Sequence, residues 1–232
     1  MNTSVRVARF HLANPVKYLA VPWGILGFTF VLCAVVFALI PASHHTFLGP
    51  ATVPAGGGRY TNALFDVFIF FFVLGVQSVA QSLSFGLTLG ASRRSFYSGT
   101  ALLGLALGAV FALGITALQA IERVTGGWGM SLYFFRVPGL LNGPWYATWL
   151  TAFVLLSVLF AYGMCYGALY RRWATVGVLL FIAVQLLVGW GVRTAVGGHF
   201  TSLSVLDLTG LVAMLTVILL AGGYATIRRV TV

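Results

Sequence analysis

Residues 61–89 read TNALFDVFIFFFVLGVQSVAQSLSFGLTL. The stretch exceeds the ~20 residues that a helix needs to cross about 30 Å of hydrocarbon. Its apolar residues run continuously rather than alternating, and lipid offers no partner to an unpaired backbone group, so the predicted form is a membrane helix. Within it Gln77, Gln81, Ser84 and Thr88 recur at i, i+4, i+7 and i+11, one stripe of a helix, with Ser78 and Ser82 beside it. Glutamine is costly to turn toward lipid, so the stripe is expected to face protein or a water-filled path. Interhelical hydrogen bonding and the polar lining of a substrate route both fit that pattern.

Five further apolar stretches flank this one, at 19–40, 99–121, 146–169, 174–192 and 205–226. The chain has 232 residues, 60% of them hydrophobic and only 7% charged, with a mean hydropathy of +1.01. Soluble domains carry about 25% charged residues. A water-facing surface cannot be assembled from so few charges, which excludes a soluble domain. The fold class read from the sequence is an all-α integral membrane protein, a single domain of six transmembrane helices over residues 1–232. Pro41, Pro50, Pro54, Pro138 and Pro144 fall at or between span ends, where a helix tolerates them.

The basic residues set the expected orientation. Arg6, Arg9, Lys17, Arg93, Arg94, Arg171, Arg172, Arg228 and Arg229 fall on one side, and Arg59, Arg123, Arg136 and Arg193 on the other. The positive-inside rule places the first group, and both termini, in the cytoplasm of a cell membrane. Topology and anionic headgroups account for most of these arginines, so nucleic acid is not an expected partner. The acids Asp66, Glu122 and Asp207 all lie at the opposite, external ends of spans, and Ser204 with Asp207 forms a capping-box pattern opening the last one.

Residues 4–13 are expected to form an interfacial elbow helix, with Val5, Ala8 and Leu12 toward lipid and Asn14-Pro15 starting the next helix. The first apolar run is span-length and lacks a small-residue cleavage site, so it reads as an anchor rather than a signal peptide. Cys33 and Cys165 sit in different spans and read as small packing residues. The pairs Gly86/Gly90, Gly104/Gly108 and Gly163/Gly167 are each spaced for close helix approach. Tyr162, Tyr166 and Tyr170 form a stripe that fits packing plus an interfacial anchor.

Several chemistries lack their residues. A phosphate-cradling loop of the GxxxxGK[ST] type needs lysine, and the sole lysine is Lys17, in Pro-Val-Lys-Tyr. His11, His44, His45 and His199 lie at span ends or in loops, so no metal or haem site is expected. No GxSxG signature occurs, and with no carboxylate at mid-membrane a proton relay is poorly supplied. Two loops exceed what a connector needs. Residues 90–99, GASRRSFYSG, carry two arginines between helix caps, suited to topology or to docking a soluble partner. Residues 122–144 carry Trp128, Tyr133, Phe134, Phe135 and Arg136, suited to a short element in the outer interface. Gly56-Gly57-Gly58 reads as slack.

The elbow ending in Asn14-Pro15, six spans, the segment Leu89-Gly90-Ala91-Ser92-Arg93-Arg94-Ser95-Phe96 after a polar second span, and the external Gly126-Gly127-Trp128-Gly129-Met130 with Phe134-Phe135 together resemble ABC-transporter permease subunits. The likeness is to the small ABCG-like, type V exporter permeases of actinobacteria, without a fused ATPase or a large external domain. It implies a chain that is not itself an enzyme and holds no cofactor, with ATP and Mg on two copies of a separate ABC ATPase subunit. It implies a second permease chain, identical or related, and a coupling helix on the ATPase at Ser92, Arg93, Arg94 and Phe96. Substrate would cross near the second and fifth spans, beside Gln77 and Gln81, with drugs, antimicrobial peptides and lipids as cargo classes. The competing readings are a stand-alone ion-coupled carrier and a membrane scaffold subunit.

Overall fold

A computed structural model describes residues 20–39, 59–60, 64–88, 90, 92–137, 140–141, 143–196 and 204–228. The elbow, all four histidines, Lys17 and the glycine run at 56–58 lie outside these residues. The described chain is all-α apart from one two-residue strand pairing: α1 Val21–Leu39, β1 Arg59–Tyr60, α2 Phe65–Ala80, α3 Leu83–Thr88, α4 Arg93–Val124, β2 Leu132–Tyr133, α5 Trp145–Val196 and α6 Val205–Arg228. Among the described residues three helices are long and apolar enough to cross a membrane, Arg93–Val124, Trp145–Val188 and Val205–Ile227, with shorter apolar helices at Val21–Val36 and Phe65–Ala80.

The 61–89 stretch is not one continuous helix. α2 stops at Ala80, two residues form a turn, and α3 resumes at Leu83. Just before the turn, Ser78 Oγ donates to the Gly75 carbonyl at 2.8 Å. The chain then reverses through Gly90, at φ +79°, a left-handed conformation that glycine adopts without a Cβ penalty. Ser92 opens α4, its Oγ accepting from the Ser95 N–H at 3.1 Å. α4 begins six residues before the expected 99–121 span, because this cap lets the helix take in the two arginines.

α5 bends sharply at Ala174 (φ 50°, ψ −145°). The Tyr166 hydroxyl donates to Gln185 Oε1 at 3.0 Å and the Tyr166 and Phe181 rings lie 5.2 Å apart, so the second half folds back along the first. At the start of α6, Ser204 and Asp207 close the expected capping box, with Asp207 N–H donating to Ser204 Oγ at 3.2 Å and Ser204 N–H to Asp207 Oδ2 at 3.1 Å.

The helices meet through small residues. A Cβ on Gly163 would lie 2.1 Å from the Phe72 carbonyl oxygen, and one on Gly75 would lie 2.2 Å from that of Phe160, so α2 and α5 cross almost backbone on backbone. Gly167 continues the same seam against Val76 and Val79. Gly104 receives the Phe160 ring, Gly86 the Phe96 ring and Gly114 the Trp23 indole, which also stacks on Phe111 at 5.0 Å. Cys33 and Cys165 are buried free thiols, and Cys165 Sγ lies 3.0 Å from the Leu219 carbonyl.

These contacts fix relative directions. Residues 72–80 rise in step with 163–167, and Thr151 meets Thr209 while Cys165 meets Leu219, so α2, the first half of α5 and α6 run parallel and α4 runs against them. Arg93, Arg94, Arg171, Arg172 and Arg228 consequently share one end of the bundle, and Asp66, Glu122 and Asp207 share the other. On the acidic end Thr29 Oγ1 donates to Asp66 Oδ2 at 3.0 Å, tying α1 to α2.

Gly163→Val is expected to lower stability by about 3 kcal/mol through overpacking of this crossing. Gly24→Ala, with nothing within 4 Å of the new Cβ, is expected to be near neutral. Thermal unfolding in detergent separates the two, and equal midpoints would refute the tight seam.

Candidate functional site

Three polar assemblies stand out in this apolar bundle. The first is the stripe of α2 and α3. The faces turned to α5 carry Phe72, Gly75, Val76 and Val79. Gln77 and Ser84 are half-buried and Gln81 and Thr88 exposed, on the outward side that also presents Ile69 and Phe85. Thr88 Oγ1 satisfies itself on the Phe85 carbonyl at 2.8 Å. The turn at 81–82 falls inside the stripe, so its four residues are divided between two helix segments.

The second assembly is the turn into α4. Ser92 and Arg94 are exposed and Arg93 is half-buried. Phe96 is different: it is fully buried beneath Gly86, so its ring secures the α3–α4 hairpin rather than presenting a contact surface. The arginine pair thus rides on the first turn of a long, capped helix braced from below.

The third assembly was not legible as a unit. At the acidic end of α4, Glu122 is fully buried, and its Oε2 accepts three donors: Phe134 N–H at 2.7 Å, Phe135 N–H at 2.9 Å and Trp128 Nε1–H at 3.2 Å. Gln119, one turn earlier, donates to the carbonyls of Phe135 and Leu141, and Arg123 donates to Gln119 Oε1 at 3.3 Å and to the Gly143 carbonyl. The described residues among 125–144 are therefore folded down onto the helix end as a cap. Gly126, Gly127, Trp128 and Gly129 all take positive φ, and the non-glycine among them, Trp128 at φ 60°, is held by Thr125 Oγ1, Glu122 and the Phe30 ring 4.9 Å away. The segment expected as an interfacial element forms a cap with buried Phe134 and Phe135. A carboxylate three residues from a glutamine at the end of an apolar helix, facing a loop of aromatics, was the available signal.

Gln185 was also missed. It meets Tyr166 inside an apolar run, and Phe72 packs on both Tyr162 (5.8 Å) and Tyr166 (5.4 Å), so a polar cluster lies between α2 and the two halves of α5. The rule that singled out Gln77 applies equally to Gln185. Tyr170, the third member of the tyrosine stripe, is exposed.

Chemically these groups can bind, orient and anchor. Among the described residues no three His, Cys, Asp or Glu converge as a metal group would require. No protein-family model, curated protein or solved structure matches the chain.

Glu122→Ala is expected to release the cap, since each of three buried donors left without an acceptor costs about 1–3 kcal/mol. Proteolysis within 125–144 in detergent should accelerate at least tenfold relative to the parent chain, while Glu122→Gln, which keeps an acceptor oxygen, should be cut at an intermediate rate.

Proposed function

We propose that the chain is the membrane-spanning permease subunit of an ATP-driven exporter of the ABC class, energised by a separate ATPase. One observation carries this reading: the amide stripe of Gln77 and Gln81 sits on an outward face of the bundle. A monomer in lipid would leave those amides against hydrocarbon, so a polar lining shared with a second permease chain, identical or related, accounts for them best. The tight Gly163 seam supports this, because it holds α2 in place while its other face stays open.

The two halves of α5 are read as the fourth and fifth spans, giving six in a cell membrane, with the arginine-rich end and both termini cytoplasmic. Ser92, Arg93 and Arg94 then form the contact with two ATPase subunits, and Phe96 transmits force by bracing the hairpin. ATP and Mg bind on the partner. Closure of the ATPase dimer would press on this turn and rock the helices between inward and outward access. Cargo belongs to the drug, antimicrobial-peptide or lipid classes.

Charge reversal at Arg93 and Arg94 (R93E/R94E) is expected to leave membrane insertion intact while uncoupling ATP hydrolysis from transport in vesicles reconstituted with an ABC ATPase that co-purifies with this chain. Unchanged coupling would remove the turn from the mechanism. Cargo movement by the purified chain alone would remove the exporter reading itself and favour a stand-alone carrier.

A further inference from the structure

The bend at Ala174 leaves a groove at the arginine-rich end of the bundle. It encloses about 400 Å³ and is lined by Leu169, Trp173, Val176, Gly177, Leu180 and Val184. Trp173, Val176, Leu180 and Val184 are 49, 66, 63 and 54% exposed, so no described element covers them. Gly177 is buried at its floor, where the absence of a side chain lets Trp173 pack close against the backbone.

Two features say what would cover it. The first is length: the ten helical residues 175–184 beyond the bend rise roughly 14 Å, about half of the ~30 Å of bilayer hydrocarbon. The groove is as long as one leaflet. The second is charge. Arg172 stacks its guanidinium 4.3 Å over the Trp173 ring, at the mouth of the groove, and Arg171 is half-buried beside it in sequence. The chain has only three acidic side chains, and all three lie at the far end of the bundle, so none can neutralise this pair. A one-leaflet apolar track that opens at two unneutralised arginines is complementary to an acyl chain under a phosphate headgroup.

We propose that this groove is a binding site for one anionic phospholipid of the arginine-side leaflet. Its acyl chain lies along Val176, Leu180 and Val184, and its phosphate is held by Arg171 and Arg172. The site rests on the membrane placement in the proposed function but not on the ATPase partnership, so the two fail separately. Lipid here would fill the angle of the α5 bend and support the fold-back of its second half.

The test uses the full chain, purified in detergent without any ATPase and offered phosphatidylglycerol or phosphatidylcholine before native mass spectrometry. The parent chain is expected to retain one phosphatidylglycerol about tenfold more often than phosphatidylcholine. Arg171→Gln with Arg172→Gln should bring that ratio to near one. Leu180→Trp, which fills the groove and leaves both arginines, should cut phosphatidylglycerol retention to a similar degree, and millimolar inorganic phosphate should not displace the lipid. Equal retention of the two lipids by the parent chain overturns the site. So does full displacement by phosphate with normal retention in Leu180→Trp, which would indicate an anion site without a chain track. Loss of dimer in Leu180→Trp, with no lipid retained by the parent, would assign the groove to a second copy instead.

Discussion

Two backbones touch where α2 crosses α5, and that contact requires glycine. In lipid the hydrophobic effect does not drive one apolar helix onto another, so association depends on van der Waals packing and on how closely the main chains approach. At Gly75 and Gly163 the approach is limited by carbonyl oxygens, not side chains. Once that crossing is set, the azimuth of α2 is set as well. Phe72 and Val76 turn inward, and the glutamines about 100° away turn outward. The outward stripe is therefore a consequence of the seam, and any function assigned to the stripe inherits its geometry from two absent side chains.

The same helix-on-helix logic gives the bundle its polarity. Parallel and antiparallel contacts gather Arg93, Arg94, Arg171, Arg172 and Arg228 at one end and all three carboxylates at the other, where Arg123 and Arg136 also lie. The carboxylates are treated individually. Asp66 and Asp207 sit in the first turns of their helices, where the macrodipole favours a negative charge and a nearby hydroxyl donates to each. Glu122 sits in the last turn of α4, where the macrodipole opposes it. Three N–H groups drawn from the following loop offset that disadvantage, and so the loop and the carboxylate specify each other's position.

Much of the fold was legible in the apolar runs, the cap residues and the glycine spacing. The box at Ser204 and Asp207, the cap at Ser92 and the seam at Gly163 and Gly167 follow from rules that act over a few residues. The break at Gln81 and the burial of Phe96 did not follow, since Phe96 is buried by Gly86 across the hairpin and no local residue pattern marks the break. Composition also cannot separate a loop that floats in an interface from one pinned by a buried carboxylate. Residues 125–144 fit both descriptions until Gln119 and Glu122 are seen to point at them. Gln77 lies on α2 and Gln81 in the turn that ends it, and periodicity alone cannot tell which way such a stripe faces.

Direction matters because polar groups at membrane depth are met in two ways here. Tyr166 and Gln185 satisfy each other within the chain, closing the angle between the halves of α5. Gln77, half-buried, and Gln81, exposed, lie on the outward side of α2 and of the turn that follows it. Gln185, itself half-buried, has Tyr166 as its partner, and a sequence this poor in polar residues has little reason to keep further amides on an open face unless something polar meets them. The proposed assembled, water-lined path rests on that difference in partnering, and it does so without reference to any particular cargo.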